Sequence, residues 1–250
     1  MKKYYFNNFV GNIYSKPSIK SELSSQILYG EKFEIISKKN NWIKIKTNFD
    51  NYKGFIKKDK FYEKLSPTHK VYNSKARVFQ KIKKKFIPMN KFLYFASGIS
   101  IINENGDFIE FKKNMWVKKK DLKIISHKER DFKKILKLFL NSKYLWGGKT
   151  IKGIDCSALI QIYFFYNRFF FPRDSKDQIK YCKKKKSKKF SKGDIIFWKG
   201  HVGICLDNSK FIHAYGPKKK VLIMPTKFTI KLIHQTAGLT IKKISNIKEY

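Results

Sequence analysis

Acidic residues and cysteines are scarce in this chain. Its 250 residues include 18 Asp and Glu against 57 Lys and Arg, which gives a formal net charge of +39 at pH 7. The three cysteines cannot all pair with one another, and their spacing is not that of a zinc knuckle. The sequence therefore indicates neither a zinc-finger protein nor a fully paired disulfide framework, and we expect no metal and no cofactor. This cysteine usage is compatible with a reducing compartment.

Arginine and alanine are also rare, although lysine, asparagine, isoleucine, phenylalanine and tyrosine are abundant. The chain has five alanines and only four arginines, which are Arg77, Arg130, Arg168 and Arg173. This pattern is typical of the codon bias of an AT-rich genome. Because base and phosphate readout recruits arginine as well as lysine, we expect no specific nucleic-acid partner.

A long apolar run is absent as well. No uncharged run reaches the roughly eighteen apolar residues that a membrane-spanning helix needs. The N-terminal lysines resemble the start of a signal peptide, but Asn7, Asn8 and Asn12 interrupt the segment before an apolar core forms. We therefore expect a cytoplasmic protein with no membrane partner, and we favour a monomer.

The first part of the chain contains two copies of a small β-rich unit. Residues 54–59 (Gly-Phe-Ile-Lys-Lys-Asp) recur as residues 115–121 (Met-Trp-Val-Lys-Lys-Lys-Asp). Short apolar-polar alternations such as residues 42–46 are separated by Asn and Gly, which favours small β-barrels. Residues 66–68 (Ser-Pro-Thr) are the predicted joint between the copies. From Glu129 onward the apolar period becomes helical, which predicts the start of a further domain.

Cys156 is the candidate nucleophile. A glycine-rich segment (residues 144–155) leads to it, and residues 158–166, which are apolar nearly all round, follow it. This pattern predicts that the cysteine begins a buried central helix in a region that ends at Pro172. The unpaired backbone N–H groups and the positive end of such a helix favour thiolate over thiol.

Two of the five histidines are candidate partners of Cys156. His201 and His213 lie in two apolar, β-rich runs that a turn-like segment, residues 207–210, connects. These features predict a β-hairpin in which one imidazole orients the other. A helix-borne cysteine, a histidine and a polar orienting group are the parts of a papain-like site. A metal site made of Asp155, Cys156, His201 and His213 is an alternative, but its spacing is not that of a zinc site.

The segment from about residue 144 to residue 214 resembles the NlpC-type cysteine peptidases, which cut bacterial cell-wall peptides. The matching motifs, in family order, are Tyr-Leu-Trp-Gly-Gly (144–148), Gly-Ile-Asp-Cys-Ser (153–157), Pro-Arg-Asp-Ser (172–175), Lys-Gly-Asp-Ile-Ile-Phe-Trp (192–198), Gly-His-Val-Gly (200–203) and Ile-His-Ala (212–214). Ala158 departs from the glycine that the family usually carries after Asp-Cys-Ser, and the tail from Lys218 is not aligned.

The resemblance implies an α+β fold in which two small SH3-like β-barrels precede a papain-like catalytic domain. Residues 28–31, 41–42 and 54–56 resemble bacterial SH3-like domains, and the second copy is more divergent. The expected domains are 1–65 for the first SH3-like domain, 66–126 for the second, and 127–250 for the NlpC-type cysteine peptidase.

The same resemblance implies a mechanism. Cys156 attacks the carbonyl carbon of a peptide bond, while His201 receives or already holds the thiol proton and later gives it to the departing amine. His213 holds His201 in the useful orientation. The backbone N–H of Cys156 and the side chain of Tyr144 contact the oxyanion.

The Pro-Arg-Asp-Ser segment resembles the family branch that has paired SH3-like domains. Members of that branch cleave γ-D-glutamyl-diamino-acid bonds in short wall peptides with a free N-terminal L-alanine. The resemblance places Asp155, Ser157, Asp174 and Ser175 around the substrate amine, since a buried ammonium needs a carboxylate and further acceptors. The alternative is that Asp174 or Ser175 only caps the next helix. In that branch an acidic residue of the first SH3-like domain closes the pocket, and the candidates are Glu22, Glu31 and Glu34.

The predicted function is therefore hydrolysis of the γ-D-glutamyl to diamino-acid bond of short peptidoglycan peptides during cell-wall peptide recycling. A hydrolase of polymeric peptidoglycan, a non-catalytic wall-binding protein and a nucleic-acid-binding protein are the alternatives. The lysine block at residues 183–186, with Lys188 and Lys189, is either a solvated loop or an anion-contacting rim of the cleft.

Overall fold

The computed structural model describes residues 2–187 and 189–250. Met1 and Lys188, the latter part of the predicted lysine block, lie outside the described residues. The chain forms two compact units, residues 1–128 and residues 129–250. This division does not test the three domains expected from the sequence, so the boundaries at residues 65 and 126 stay predictions.

The first unit begins with an antiparallel sheet. Its strands are β1 (Lys3–Tyr5), β2 (Val10–Tyr14), β3 (Leu23–Leu28), β4 (Lys32–Lys39), β5 (Trp42–Thr47) and β6 (Lys53–Lys57). They lie side by side in the order β1-β4-β5-β6-β2-β3. In β5 every second side chain is buried, namely Ile43, Ile45 and Thr47. This period of two is that of a strand with one face on a core.

The rest of the first unit contains two further antiparallel sheets. Their strands are β7 (His69–Val71), β8 (Lys75–Ile82), β9 (Lys85–Tyr94), β10 (Gly98–Ile99), β11 (Asn103–Asn105), β12 (Phe108–Lys112), β13 (Met115–Lys118) and β14 (Leu122–Ile124), with a 3-10 turn at Lys119–Asp121. One sheet has the order β10-β7-β14 and the other the order β11-β12-β13-β8-β9. In the described part of the chain the sheets do not close into complete barrels, so the expected barrels are open SH3-like sheets.

A tight turn after β3 connects the two halves of this unit. Tyr29, which follows β3, is buried in the apolar cluster of the second half, and its carbonyl accepts a hydrogen bond from the N–H of Gly98 at 3.0 Å. Gly30 has a φ of +79°, and a Cβ there would lie 2.0 Å from the Gly98 carbonyl oxygen. Only glycine fits this position, because both the backbone angle and the close approach exclude a side chain.

The second unit packs helices against an antiparallel sheet. Its helices are α1 (Phe132–Lys137), α2 (Cys156–Asn167), α3 (Ser175–Tyr181) and α4 (Thr226–Ala237), with 3-10 turns at Gly216–Lys218 and Ile247–Glu249. Its strands are β15 (Lys149–Thr150), β16 (Gly153–Ile154), β17 (Asp194–Trp198), β18 (His201–Cys205), β19 (Lys210–Tyr215), β20 (Lys220–Pro225) and β21 (Lys243–Asn246). The main sheet has the order β20-β19-β18-β17-β21. The tail that the motifs do not align therefore completes this sheet. Helices and sheets in this arrangement confirm the α+β prediction.

Helix α2 lies at the centre of the second unit, as its apolar composition predicts. Ten of its twelve residues are buried, and it packs against β18 and β19. It ends at Asn167, ahead of Pro172, because Arg168 adopts a left-handed conformation with φ 60°. Within residues 2–187 and 189–250, no helix is long and apolar enough to cross a membrane.

Candidate active site

Cys156 occupies the first position of α2. Asp155 is the N-cap, and its Oδ1 accepts a hydrogen bond from the Ala158 N–H at 2.7 Å, which satisfies a donor that the helix leaves unpaired. β16 ends at Ile154, immediately before the cap, so a short hairpin fixes the direction from which the chain enters the helix. The Cys156 side chain is 5% exposed. The predicted helix start is confirmed.

The two candidate histidines lie together on the predicted hairpin. His201 opens β18 and His213 lies in β19, which pairs with β18 in antiparallel register. The Nε2 of His201 and the Nδ1 of His213 are 2.9 Å apart. The close packing of the two strands requires glycine at position 203, because a Cβ there would lie 2.4 Å from the Phe211 ring and 2.8 Å from the His213 Cβ.

The cysteine sulfur reaches the same strand. The backbone N–H of Val202, the residue after His201, donates to the Cys156 sulfur, as does the backbone N–H of Ser157. The sulfur therefore lies against the beginning of β18. Because His201 Nε2 faces His213, Nδ1 is the ring nitrogen that takes no part in the contact between the two histidines.

The thiol is not activated in the way the sequence suggests. Burial raises the pKa of Cys156 to about 12, and the negative charge of Asp155 acts in the same direction. The N–H donors and the Arg173 charge act against this rise without cancelling it. The expectation that the helix end favours a thiolate is wrong for this site, because desolvation outweighs the helix end. The neutral thiol is the resting form.

Both histidines are neutral as well. Burial lowers the pKa of His201 to about 4. Burial, followed by the neighbouring His201, lowers the pKa of His213 to about 3. With the His201 proton on Nε2, that N–H donates to His213 Nδ1, and His213 carries its own proton on Nε2. The His213 Nε2 is buried and has no hydrogen-bond partner among the described residues.

Tyr144 lies beside Cys156. Its backbone N–H donates to the Lys219 carbonyl at 2.8 Å, and it bridges to Ile154 just ahead of the helix cap. Burial raises the pKa of its phenol, and the neighbouring acidic groups of Cys156 and Asp155 act in the same direction, so the phenol keeps its proton. In the described part of the chain, its hydroxyl makes no hydrogen bond. This O–H is a free donor near the sulfur.

Asp155 and Ser157, two of the four predicted substrate-binding residues, already contact a cation of the protein itself. The guanidinium of Arg173 donates to Asp155 Oδ2 at 2.7 Å and to Asp155 Oδ1 at 3.0 Å. It also donates to the Ser157 hydroxyl at 3.0 Å. Ser157 in turn donates to Asp155 Oδ1 at 3.1 Å. The Asp155 carboxylate is therefore neutralised before any substrate binds.

Asp174 and Ser175, the other two, lie at the beginning of α3. Asp174 is the N-cap residue, but its side chain makes no capping hydrogen bond. Burial raises the pKa of Asp174, and the charges of Arg173 and Lys176 lower it. Neither side chain makes a hydrogen bond with another residue in the described ranges. The alternative that these side chains serve only as helix caps does not match this geometry.

The three acidic candidates of the first unit have different surroundings. Glu34 pairs with Lys46 at 3.1 Å, which holds its pKa below the usual range. Glu31 is buried, and its Oε1 accepts a hydrogen bond from the Leu28 N–H at 2.8 Å. Glu22 is exposed. Closure of the amine pocket by one of these residues stays a prediction.

The lysine block is not uniformly solvated. Lys183, Lys184 and Lys186 are exposed, but Lys185 is half-buried and pairs with the fully buried Asp194 at 2.6 Å. Among the described residues, no three His, Cys, Asp or Glu side chains are grouped as a metal site requires.

Arg173 is a residue of this site that the motifs did not predict. It lies inside the Pro-Arg-Asp-Ser segment, in which the predicted substrate-binding residues are Asp174 and Ser175. A signal was present in the composition, because a chain with 57 basic residues uses arginine at only four positions. A planar guanidinium that can bind both oxygens of a carboxylate is a reason to retain arginine where lysine would not serve.

Comparisons with known proteins agree with this geometry. Residues 141–236 match the model of the NlpC/P60 family, and residues 13–61 match the bacterial dipeptidyl-peptidase Sh3 domain. The chain is 24% identical to dipeptidyl-peptidase 6 of Lysinibacillus sphaericus over 95% of this chain and 97% of that protein. It is 25% identical to a gamma-D-glutamyl-L-lysine dipeptidyl-peptidase of Bacillus subtilis (strain 168), over 83% and 77% of the two chains.

A solved structure shows the same fold. An NlpC/P60 family protein from Bacillus cereus ATCC 10987 superposes with a TM-score of 0.77 and 17% sequence identity, over 96% of this chain and 98% of that chain. Together with the family models, this confirms the resemblance that the motifs predicted.

Proposed function

We propose that this chain, which carries an NlpC/P60 domain and a bacterial dipeptidyl-peptidase SH3 domain, hydrolyses the γ-D-glutamyl to diamino-acid bond of short peptidoglycan peptides. The observation that carries the proposal is that the Cys156 sulfur accepts a hydrogen bond from the N–H of Val202, the residue next to the hydrogen-bonded His201–His213 pair. The relatives named as dipeptidyl-peptidases support the substrate class.

The reaction begins from a neutral thiol and a neutral imidazole. As the Cys156 sulfur attacks the carbonyl carbon, His201 Nδ1 accepts the thiol proton. The resulting imidazolium keeps its Nε2–H directed at His213 Nδ1, which stabilises the developing positive charge. Full separation of charge before attack is unfavourable here, because burial raises the pKa of the thiol and lowers that of the imidazole.

The oxyanion of the tetrahedral intermediate needs donors close to the sulfur. The backbone N–H of Cys156, at the start of α2, supplies one of them. The Tyr144 hydroxyl, a protonated donor with no bond to a described side chain or backbone group, supplies the other. Collapse of the intermediate breaks the C–N bond, and the His201 proton passes to the departing amine. Water, deprotonated by His201, then hydrolyses the thioester and frees Cys156.

Recognition of the substrate amine falls to Asp174. A dipeptidyl-peptidase must detect the N-terminus two residues ahead of the bond that it cuts. Asp155 is paired with Arg173, whereas the half-buried Asp174 carboxylate accepts no hydrogen bond from a described residue. An ammonium ion placed there gains a charged acceptor, and a neutral N-acetyl group does not. Ser157 and Ser175 are the proposed neighbouring hydroxyl groups.

A mass-spectrometric assay tests the proposal. L-Ala-γ-D-Glu-diaminopimelate, with a free or an N-acetylated amine, is incubated with the wild type and with Cys156→Ala. We expect the wild type to release the L-Ala-γ-D-Glu dipeptide from the free peptide only, and the variant to release none. Equal cleavage of both peptides removes the amine pocket and favours a hydrolase of polymeric wall. No cleavage of either peptide or of intact peptidoglycan favours a wall-binding protein.

We also propose a cellular compartment and binding partners for the protein. Its partners are short peptides derived from peptidoglycan, and it acts on them as a cytoplasmic monomer. Fractionation of cells that produce the protein, followed by size-exclusion chromatography of the soluble fraction, tests this point. Recovery from the culture medium or as an oligomer contradicts it.

A further inference from the structure

The guanidinium of Arg173 lies at the centre of a buried hydrogen-bond network. It donates to both carboxylate oxygens of Asp155, to the Ser157 hydroxyl at 3.0 Å and to the Gly148 carbonyl at 3.4 Å. Only 2% of Arg173 is exposed. It is therefore too deeply buried to contact a substrate, and its partners are groups of the protein.

The partners of Arg173 hold the segments around the nucleophile. The Asp155 carboxylate also accepts the Gly147 N–H at 2.9 Å and the Ala158 N–H at 2.7 Å. One acidic side chain thus joins the glycine loop after Tyr144 to the first turn of α2. Bidentate pairing leaves this carboxylate a single orientation, because a rotation breaks both charged hydrogen bonds at once.

The pair also controls the charge next to the sulfur. Asp155 is one residue before Cys156, and its negative charge disfavours a thiolate. Arg173 places a permanent positive charge 2.7 Å from the same carboxylate. In a buried site such charges are poorly screened by solvent, so removing one of them exposes the sulfur to the other.

We propose that Arg173 is a positioning residue of the catalytic machinery, which fixes Asp155 and the segment carrying Cys156 and offsets the Asp155 charge at the sulfur. This proposal rests on the proposed function only in taking Cys156 as the nucleophile. It assigns Asp155 to the scaffold of the nucleophile and leaves Asp174 as the acidic group for the substrate.

The experiment measures the rate of alkylation of Cys156 by iodoacetamide from pH 6 to pH 10, read by peptide mass spectrometry. The variants are Arg173→Met, Arg173→Lys and the double variant Asp155→Asn with Arg173→Met. Arg130→Met, at an exposed arginine of the same unit, is the matched control. Circular dichroism and urea unfolding establish which variants are folded. No substrate is needed, so the result is independent of the proposed substrate.

We expect Arg173→Met to react at least tenfold more slowly than wild type at pH 7, with its profile displaced to higher pH. The alkylation rate of Arg173→Lys should lie between those of the wild type and Arg173→Met, because lysine keeps the positive charge but cannot bind both carboxylate oxygens as the guanidinium does. The double variant should recover at least half of the displacement, since it removes the unpaired carboxylate. Arg130→Met should match the wild type.

A folded Arg173→Met with the wild-type profile overturns the proposal, and so does a double variant displaced as far as the single one. If Arg173→Met does not fold, the profiles of Arg173→Lys and of the double variant test the proposal. Arg173→Lys displaced to higher pH, with the double variant closer to wild type, supports the proposal. Wild-type profiles in both of these variants reject it.

Discussion

Two buried ion pairs in the second unit serve different regions. At the proposed nucleophile, Arg173 and Asp155 form a bidentate pair one residue from Cys156. At the beginning of β17, Lys185 donates to the fully buried Asp194 at 2.6 Å. Both carboxylates also accept other hydrogen bonds. The pairs differ in the shape of the cation and in what lies beside the carboxylate.

The Asp194 pair joins elements of the fold. Asp194 Oδ2 accepts the Ser191 N–H at 2.8 Å, and Asp194 Oδ1 accepts the Asn246 side-chain amide at 2.7 Å. It thereby connects the beginning of β17 to β21, far along the chain. A single ammonium suffices there, because the Asn246 amide and the Ser191 hydroxyl satisfy the other oxygen, Oδ1. Breaking a buried pair leaves an uncompensated charge whichever cation forms it. The chemical consequences differ, because Asp155 is next to Cys156, the proposed nucleophile.

The largest predicted effect is the loss of peptide hydrolysis when Cys156 is replaced, compared with replacement of the buried Cys205. Cys156→Ala should lower the rate of peptide hydrolysis on the order of 10⁴-fold or more, because it removes the nucleophile. Cys205→Ala is the matched control, since Cys205 is also buried but lies at the far end of β18. Its rate should stay within about threefold of the wild type. Steady-state kinetics on the free tripeptide measure both, and comparable losses in the two variants would contradict the assignment.

Removing the Lys185 ammonium should destabilise the protein without changing the reactivity of the Cys156 thiol. Lys185→Met leaves the buried Asp194 carboxylate without its counter-ion, and we expect the free energy of unfolding to fall by about 3 kcal/mol. Urea unfolding measures this loss, with the exposed Lys184→Met as control. The alkylation profile of folded Lys185→Met should match the wild type. A loss below about 1 kcal/mol would mean that the remaining hydrogen bonds are sufficient to hold Asp194.

Acid should destabilise the folded protein through His201 and His213, the two buried histidines. The pKa of His201 is lowered to about 4 and that of His213 to about 3. Below about pH 6.5 these histidines are therefore protonated in the unfolded chain but stay neutral in the folded protein. The free energy of unfolding falls as the pH decreases from about 6.5 to 3 or 4. Each histidine should lower the free energy of unfolding by about 2 kcal/mol between pH 7 and pH 5.

Urea unfolding at these two pH values checks the prediction. His213→Gln should lose part of the pH dependence, and His234→Gln, which changes an exposed histidine of α4, should keep all of it. Identical pH dependence in the wild type and His213→Gln would contradict a buried neutral pair.

The smallest predicted effect concerns the substrate amine. Asp174→Asn should lower kcat/KM for the free-amine peptide by roughly tenfold, or about 1.4 kcal/mol, mainly through KM. Asp177→Asn, at an exposed acidic residue in the first turn of the same helix, should have little effect. Kinetics on the free and N-acetylated peptides provide the comparison. Equal losses on the two peptides would show that Asp174 acts on the fold and does not contact the amine.

Local motifs predicted the helix start at Cys156 and the hairpin of His201 and His213, because each depends on residues that are close in sequence. The networks around the two ion pairs also depend on residues that are farther apart in sequence. Lys185 and Asp194 are 9 positions apart, Arg173 and Asp155 are 18 apart, and Asn246, which also binds Asp194, is 52 positions from it. The sequence also indicated a thiolate, since it reveals a helix end but not the depth of burial that governs the thiol.

The most direct test of this account compares the two cations in one measurement. Iodoacetamide alkylation of Cys156 is followed from pH 6 to pH 10 in the wild type, Arg173→Met and Lys185→Met, under conditions in which all three are folded. We predict that the wild-type and Lys185→Met profiles coincide, and that the Arg173→Met profile is displaced to higher pH. Coincidence of all three profiles, or an equal displacement of both variants, would contradict the distinction between a pair that serves the nucleophile and a pair that serves the fold.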